Sequence, residues 1–432
     1  MPADSTALPP RAVVLVLTRG VSAFGSGMTL FALNVWVFQQ TGSYAVFALL
    51  TMLSTLPNLL MSPLSGMVVD HGPKRPLLLA CELVPLAAVA TAAASHRVGG
   101  LGVAGVAATV LVLALTSNLR WTLMGATIPR LVPRAALGRI NGVQQAVGGF
   151  GDVAAPLLGA GALQWLGFER LLMVDMASSL VAACGVLALG RGALAAAPPA
   201  RQRAGFWSDA RFGIDWIRRD PPMWHLLRFV TLYNIAGAVF MATFVPYVLI
   251  RSTGGMLSWA LALEGGGAFA CGLALAARRG RNSAAASAGG VLVGATLFGA
   301  LLVAWGLVRH AALLAACAGC AGVLTSLIVA SLQTAWQATV PSAIQGRVFA
   351  ARRMVSFTLV PVAAAGSAPL ARHLFEPLLA ATPALAHAWG VGPGGALGLM
   401  LSTVGALLLA GCLAVVARGG LALAAPMGER LT

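Results

Sequence analysis

The chain has 432 residues, of which 59% are hydrophobic and only 9% are charged, and its mean hydropathy is +0.87. A soluble domain carries about 25% charged residues, so this composition excludes a soluble globular protein and indicates a polytopic membrane protein. The formal net charge of +16 is also found in chains that bind nucleic acid, but the placement of the cations argues against that class.

Twelve apolar runs of the chain are long enough to cross a bilayer, which takes about 20 apolar residues. We expect each run to be an α-helix, because a segment in hydrocarbon must satisfy its own backbone hydrogen bonds. A β-barrel would need short alternating strands, and these runs are continuously apolar. The sequence thus predicts an all-α integral membrane protein with spans at 12–38, 44–69, 77–95, 100–128, 139–165, 170–190, 223–250, 254–277, 286–308, 311–338, 350–374 and 394–417.

The cations are distributed unequally between the two sides of these predicted spans. With the N-terminus placed in the cytoplasm, 20 of the 28 lysines and arginines fall on the cytoplasmic side, five on the outer side and three within spans. This bias follows the positive-inside rule and predicts that both termini are cytoplasmic. It also explains the basic net charge without nucleic acid, since the arginines lie along the anionic inner leaflet.

The longest predicted loop, residues 191–222, divides the chain into two sets of six spans, at 1–190 and 223–432. Aromatic and basic residues alternate at helical spacing within this loop, from Phe206 to Arg219. Such a pattern predicts an amphipathic helix that lies at the membrane interface and joins the two halves. A regulatory binding site in the loop is the alternative interpretation.

A very short charged loop separates the second span from the third, where residues 66–75 read GMVVDHGPKR. This string resembles the signature loop of the major facilitator superfamily, G-x-x-x-D-R-x-G-R-R/K. His71 and Pro73 stand where that pattern has Arg and Gly. The matching residues are Gly66, Asp70, Lys74 and Arg75.

The resemblance implies that these four matching residues control the conformational change of a transporter. In the fold of that superfamily, the loop lies near the start of the eleventh span. There the Asp70 carboxylate would meet Arg352 or Arg353 and the positive N-terminus of a helix, and so stabilise the state closed on the cytoplasmic side. The alternative is a positively charged turn that only sets the topology.

Other strings resemble one branch of the superfamily, which contains the bacterial enterobactin exporters and macrolide efflux proteins. Each half has a proline turn followed by a Gly-Arg step before its fifth helix, at residues 129–139 and 341–347, as transporter repeats do. The remaining strings are Ser22 to Gly25, Thr41 to Ser43 and Asp209 to Pro221. The resemblance implies twelve helices in two pseudo-symmetric halves, the major facilitator fold.

The fifth span contains a spaced pattern of glycines and one proline. It resembles the pattern G-x8-G-x3-G-P-x2-G-G of antiporters in the superfamily, with Ala at positions 155 and 160. Small residues let helices approach and the proline kinks the helix, so the resemblance implies a gating role and export. Ordinary helix packing is the alternative in a chain with 51 glycines. The matching residues are Gly142, Gly151, Pro156 and Gly159.

Two acidic residues lie about half-way along predicted spans, Asp152 in the fifth and Glu264 in the eighth. Ionisable residues at this depth are unfavourable and usually functional. These two spans face each other in the resembled fold, where two close carboxylates cannot both ionise easily, so one of them would hold a proton. We therefore predict proton coupling at Asp152 and Glu264, with plain polar lining of a water-filled cavity as the alternative.

In the resembled fold, the first, fourth, seventh and tenth spans line the substrate cavity. Aromatic rings, amides and one cation on these spans suit an amphipathic, anionic organic molecule, although helix packing is the alternative for any one of them. The candidate cavity residues are Asn34, Arg120, Trp121, Tyr233, Asn234, Gln333 and Trp336.

The predicted function is a secondary active exporter of an amphipathic small molecule, such as a siderophore, a peptide metabolite or a drug-like compound, by proton antiport. Its partners would be this substrate, protons and membrane lipids, without nucleic acid or a cofactor, and it would act as a monomer in the bacterial inner membrane. The alternatives are a lipid or lysolipid transporter on the same fold and a membrane-embedded enzyme. The scattered histidines and the lack of a G-x4-G-K-[ST] loop disfavour an enzyme and an ATP-driven pump.

Overall fold

The computed structural model describes residues 8–41, 46, 49–50, 53–54, 65–66, 68–69, 72–190, 206–252, 254–278, 284–341 and 344–417. Most of the predicted second span lies outside these residues, and so does Asp70. Helices account for most of the described chain, and ten of them are long and apolar enough to cross a membrane. This architecture confirms the predicted all-helical membrane protein.

Four long helices make up the described part of the first 190 residues. They are α1 (Pro10–Thr41), α2 (Lys74–Arg97), α3 (Val103–Leu131) and α4 (Leu137–Ala188). Helix α4 contains both the predicted fifth and sixth spans, which are separated at Gly167, where φ is 79° and ψ is 166°. Glycine adopts a positive φ without the strain that a Cβ atom would bring, so the chain changes direction within one residue.

The remaining helices follow residue 205. They are α5 (Phe206–Arg219), α6 (Pro221–Arg251), α7 (Gly254–Ala277), α8 (Ala284–Leu307), α9 (Ala311–Thr339), α10 (Gln345–Phe357), α11 (Val360–Leu370), α12 (Glu376–Ala381), α13 (Pro383–Trp389) and α14 (Gly392–Ala417). Helix α6 begins where the Asp220 carboxylate accepts a hydrogen bond from the Met223 amide. Two prolines in its first turn favour the same start, because the first turn has no use for their missing N–H groups.

The predicted eleventh span is less regular than the sequence indicated. In place of one helix over 350–374, α10 ends at Phe357, α11 follows, and a π-helical turn covers Ala371–Phe375 before α12. Pro361 and Pro369 explain the irregularity, because each proline lacks the N–H group that continues an α-helix and its ring crowds the preceding turn.

Helix α5 lies within the segment that the sequence identified as a linker. Gly213 and Ile217 are buried on one face, while Arg211 and Arg218 are exposed on the other. The buried face packs against α10, where an added Cβ at Gly213 would lie 2.7 Å from the Arg347 carbonyl oxygen. The linker helix is therefore attached to the C-terminal half of the molecule.

The buried hydrophobic residues form separate clusters in the two parts of the chain. Two clusters join α1 to α4, and the largest cluster joins α5 to α14. Between the two parts, α4 packs against α7 and α9, and α3 packs against α9 and α10. These contacts between the two parts position the cavity described below. The domain boundaries at residues 190 and 223 stay a prediction.

Candidate functional site

A cavity of about 250 Å³ lies between α1, α3 and α4 on one side and α9 on the other. Apolar residues such as Val16, Met124 and Val329 share its wall with polar ones. The polar and aromatic lining residues are Arg19, Ser117, Arg120, Trp121, Asn141, Gln144, Gln145 and Gln333. A second cavity of about 260 Å³, between α1 and α3, also reaches Arg120. Apolar walls with a few convergent polar groups are typical of a small-molecule site.

An ionic cluster lies beside this cavity. Glu82 of α2 is fully buried (0% exposed), and its Oε1 atom lies 2.8 Å from Nη1 of Arg19 in α1. The Ser22 hydroxyl donates to Glu82 Oε2 at 2.6 Å. Arg120 Nε lies 3.9 Å from Glu82 Oε1, and Arg120 Nη2 donates to the Cys81 carbonyl at 3.0 Å. Two arginines therefore share a single glutamate, which leaves the cluster positively charged.

Three of the seven residues predicted for the cavity line it, namely Arg120, Trp121 and Gln333. In this conformation the other four make contacts within the protein. Asn34 donates to a carbonyl one turn earlier in α1, at 2.7 Å, and Asn234 donates to a carbonyl of α10, at 3.0 Å. Tyr233 packs edge-on against a phenylalanine of α8, and Trp336 is fully buried. Neither of the two cavities includes them.

Two arginines of α10 extend the positive charge to the neighbourhood of Trp121. The Arg352 guanidinium donates to Gln333 Oε1 at 3.2 Å and stacks on Trp336, with its carbon 5.1 Å from the ring centre. The Arg353 guanidinium carbon lies 4.6 Å from the centre of the Trp121 ring. Cation–π contacts of this kind join α10 of one half to α3 of the other.

Asn141 of α4 connects the two halves by buried hydrogen bonds. Its Nδ2 atom donates to Thr334 Oγ1 at 2.9 Å and to Gln337 Oε1 at 2.8 Å, both in α9. Gln337 Nε2 donates to the Gly125 carbonyl of α3 at 3.1 Å. These bonds close the bundle at the end where α2, α4 and α10 begin. We refer to it as the arginine-rich end, after Lys74, Arg75, Arg139 and Arg347.

Asn141→Ala is expected to loosen this closed end. The substitution removes two buried hydrogen bonds, each contributing about 0.5–1.5 kcal/mol, so the ratio of closed to open molecules should fall by about tenfold. Spin labels on Arg134→Cys and Arg278→Cys, which follow α3 and α7, would report the distance across this end. Gln144→Ala, which changes a cavity residue of the same helix, is the control and should leave the distance distribution unchanged. A wild-type distribution in Asn141→Ala would refute the role of Asn141 in closing this end.

Three of the predicted gating glycines lie close to the backbone of a neighbouring segment, at different distances. An added Cβ at Gly66 would lie 2.7 Å from the Gly346 carbonyl oxygen, so the first residue of the signature loop packs directly on the start of α10. At Gly142 it would lie 2.6 Å from the Ala276 amide nitrogen of α7. At Gly159 the nearest contact, with α1, is an ordinary 3.4 Å. Gly66 and Gly142 thus require the absence of a side chain.

Gly151 differs from these three glycines in its surroundings, and its predicted gating role stays a prediction. In the described part of the chain, nothing lies within 4 Å of a Cβ added there. The neighbouring stretch instead borders an apolar cleft of about 340 Å³ between α4 and α7, lined by Phe150, Leu158 and Phe269 among others. The two helices are therefore in contact from Gly142 to Gly149, where an added Cβ would lie 3.0 Å from the Phe269 amide nitrogen, and they border the cleft beyond it.

The predicted proton-coupling pair is only partly described. Asp152 and Pro156 lie within α4, but their side chains fall outside the described residues. Glu264 is half-buried on α7, and its backbone carbonyl faces Gly322 of α9 at close range. A shared environment of Asp152 and Glu264 therefore stays a prediction.

The basic residues of the signature loop both bind backbone carbonyls. Lys74 is buried and its ammonium group donates to the Val69 carbonyl, while Arg75 donates to the Leu187 carbonyl at the end of α4, at 3.1 Å. These contacts attach the start of α2 to its neighbours. The predicted interaction of Asp70 with α10 involves a residue outside the described part and remains a prediction.

A further buried acid escaped the sequence analysis. Asp175 of α4 is 2% exposed, and its Oδ1 atom accepts hydrogen bonds from Ser26 at 3.2 Å and Ser178 at 3.4 Å. Its position inside the predicted sixth span, five residues from the start, was the available signal. Glu82 also lies within a predicted span, the third, and in the structure it is the common partner of Arg19 and Arg120.

Solved transporter structures share this fold. The human organic anion transporter MFSD10 (TETRAN) has a TM-score of 0.62 at 17% identity, covering 94% of this chain and 100% of the other. A bacterial homologue of the iron transporter ferroportin, in the outward-facing state, has a TM-score of 0.65 at 14% identity, covering 93% and 100%. The Escherichia coli fucose:proton symporter FucP has a TM-score of 0.62 at 12% identity, covering 94% and 98%.

Sequence comparisons agree with this likeness. The chain is 28% identical over 264 residues to the uncharacterized MFS-type transporter y4rN of Sinorhizobium fredii (strain NBRC 101917 / NGR234), a match that covers 59% of this chain and 63% of that relative's length. The sequence profile of the Major Facilitator Superfamily matches residues 15–365, which include every helix that surrounds the cavity. The chain is a membrane transporter that belongs to the Major Facilitator Superfamily.

Proposed function

We propose that the chain is a secondary active exporter that carries an amphipathic small molecule through the cavity between its two halves. The observation that carries this proposal is the position of that cavity, with α1, α3 and α4 on one side and α9 on the other. The arginine-rich end is closed by the hydrogen bonds of Asn141, and α4 and α7 stay in contact from Gly142 to Gly149 and border an apolar cleft beyond it. Such an arrangement suits alternating access, in which the halves rock about the substrate.

Export by proton antiport is the proposed direction and coupling. It is supported by the antiporter-like pattern of α4 and by the mid-span positions of Asp152 and Glu264. The enterobactin and macrolide efflux branch is proposed on its sequence strings. The solved relatives are named for an organic anion, for iron and for fucose with protons, and at 12–17% identity their substrates carry no argument here.

A lipid or lysolipid is the second candidate substrate, and one observation favours it. The cleft between α4 and α7 is almost wholly apolar, and Phe150, Leu158 and Phe269 in its wall are all exposed. An acyl chain would fit such a surface, because burying apolar groups away from water is favourable.

Transport by the purified protein in vesicles tests the proposed function. A panel of siderophores, hydrophobic peptides, drug-like compounds and lysolipids would be offered under an imposed pH gradient, with protein-free vesicles as the control. Export predicts that at least one compound accumulates on the acidic side and that collapsing the gradient abolishes the accumulation. If no compound moves faster than in empty vesicles, the proposal fails; accumulation of lysolipids alone would select the second candidate.

Asp152→Asn and Glu264→Gln are each expected to mimic the protonated form of the acid. At least one of them should bind substrate normally and lose accumulation driven by the pH gradient, because the proton can no longer leave with the conformational change. Binding and efflux would be measured for both single variants and the double variant. If all three still concentrate substrate with only a pH difference as the driving force, neither acid carries the proton.

A further inference from the structure

The cluster of Arg19, Glu82 and Arg120 is incompletely neutralised at the cavity wall. Arg19 is 4% exposed and Glu82 is 0% exposed, so both charges are held away from bulk water. One carboxylate lies between two guanidinium groups, 2.8 Å from Arg19 and 3.9 Å from Arg120. A buried charge without a full complement of partners is unfavourable, so the cluster attracts one more negative charge.

The atoms of this cluster that lack a hydrogen bond belong mostly to the two arginines; Glu82 Oε1 and Arg19 Nη1 also lack one, but these two atoms form the 2.8 Å ion pair. Nε and Nη2 of Arg19 and Nε of Arg120 have no hydrogen-bond acceptor within the described part of the chain. Arg120 is common to the walls of both cavities, and Arg19 also lines the first. The donors that lack acceptors therefore lie where a bound molecule could supply them.

The residues around the cluster add positive charge and supply little negative charge to balance it. Arg352 and Arg353 approach the Trp121 ring, with guanidinium carbons 5.6 and 4.6 Å from its centre. Among the described residues near the cluster, Asp175 is the second acid; its Oδ1 accepts from serine hydroxyls of α1 and α4, and it acts on Arg120 only at a distance, without an ion pair. Trp121 itself is 39% exposed, which leaves an aromatic surface next to Arg120.

We propose that the transported molecule is an organic anion whose acidic group binds Arg120 and Arg19 and whose apolar body contacts Trp121. Glu82 acts as the internal counter-ion, holding the arginines in place while leaving net positive charge for the ligand. The inference rests on the proposed function and specifies its substrate class. A guanidinium suits this role because it forms charge-assisted hydrogen bonds with carboxylate, sulfonate or phosphate oxygens.

The charge of the substrate has a consequence for transport. An inside-negative membrane potential drives an anion outward, by roughly 50-fold in concentration for every 100 mV acting on one charge. Exchange of the anion for an entering proton would be driven by the potential as well as by the pH difference. The inferred anion therefore agrees with the proposed direction of export.

Binding of three matched probes tests the inference: naphthoate, naphthamide and naphthylmethylammonium, which share a ring and differ in charge. Calorimetry on the full-length protein should show naphthoate binding at least about tenfold more tightly than the other two. Arg120→Gln should remove this preference, with naphthamide affinity almost unchanged. Glu82→Gln should strengthen naphthoate binding, because it removes the competing negative charge. Arg228→Gln, on the exposed face of α6, is the control and should change nothing.

Arg120→Gln should weaken naphthoate binding and Glu82→Gln should strengthen it. These opposite changes distinguish an electrostatic role of the cluster from a structural one, because damage to the fold would weaken the binding of all three probes in both variants. If Glu82→Gln is too unstable for calorimetry, Arg120→Lys replaces it and should retain the preference for naphthoate in weakened form. Equal affinities of wild type for naphthoate and naphthamide, no naphthoate binding, or a parallel loss of both in Arg120→Gln would overturn the inference. Transport of any uncharged or cationic compound by the wild type would still uphold the proposed function.

Discussion

Gly142→Leu is expected to abolish transport by forcing open the arginine-rich end. An added Cβ at this position would lie 2.6 Å from the Ala276 amide nitrogen and 2.8 Å from the Gly272 carbonyl oxygen, both backbone atoms of α7. Backbone cannot move aside as a flexible side chain can, so α4 and α7 must separate. The Arg134→Cys and Arg278→Cys spin labels should therefore report a longer distance than in the wild type.

Gly151→Leu on the same helix is expected to abolish transport in the opposite way. This glycine faces open space among the described residues, so leucine fits the present conformation. The antiporter-like pattern of α4 predicts that a neighbouring helix approaches this glycine in the other state, and a leucine side chain would prevent that approach. The spin-label distance should then stay short. Normal efflux by both variants, or a longer distance in both, would contradict alternating contact at Gly142 and Gly151.

Glu82→Leu is expected to destabilise the folded protein by about 3–5 kcal/mol, because it leaves Arg19 and Arg120 buried without their carboxylate partner. Unfolding in detergent, followed by tryptophan fluorescence in denaturant, would measure the loss. Glu169→Leu is the matched control, since Glu169 pairs with Arg97 at the surface, where an ion pair contributes about 0–1 kcal/mol.

A double variant shows whether the stability lost in Glu82→Leu comes from the broken ion pair or from poorer packing. Replacing the closer ion pair, with Arg19→Met added to Glu82→Leu, should recover part of the stability, because these two positions then have no charge to desolvate, while Arg120 keeps its hydrogen bond to the Cys81 carbonyl. Equal and small effects of Glu82→Leu and Glu169→Leu would show that the cluster does not depend on its glutamate. No recovery in the double variant would assign the loss to packing.

The helices were predictable from the sequence because hydrocarbon tolerates few alternatives to a continuous apolar helix. The predicted limits of the third and fourth spans, 77–95 and 100–128, lie within three residues of α2 and α3 at each end. The break at Gly167 also fell within a predicted loop. The eleventh span was wrongly predicted as one continuous helix. Hydropathy did not reveal the interruptions, because it does not register the hydrogen bonds that the prolines remove.

The site was less predictable, because a uniformly apolar helix does not reveal which face meets its neighbours. Arg120, Trp121 and Gln333 do line the cavity, but Trp336, one turn beyond Gln333, is buried beneath Arg352. Tyr233 turns towards α8 for the same reason. The ion cluster was equally hidden, because Glu82 and Arg19 are distant in sequence and meet only when α1 and α2 pack.

An inter-half disulfide tests the claim of alternating access most directly. Asn141→Cys and Thr334→Cys would be combined in a protein whose six native cysteines are replaced, since these side chains already touch, with 2.9 Å between Asn141 Nδ2 and Thr334 Oγ1. Efflux of the fastest compound of the panel would be measured in vesicles after oxidation and again after reduction. We predict that oxidation stops transport and that reduction restores it, because the arginine-rich end must open in every cycle. Undiminished transport by the fully cross-linked protein would contradict the account.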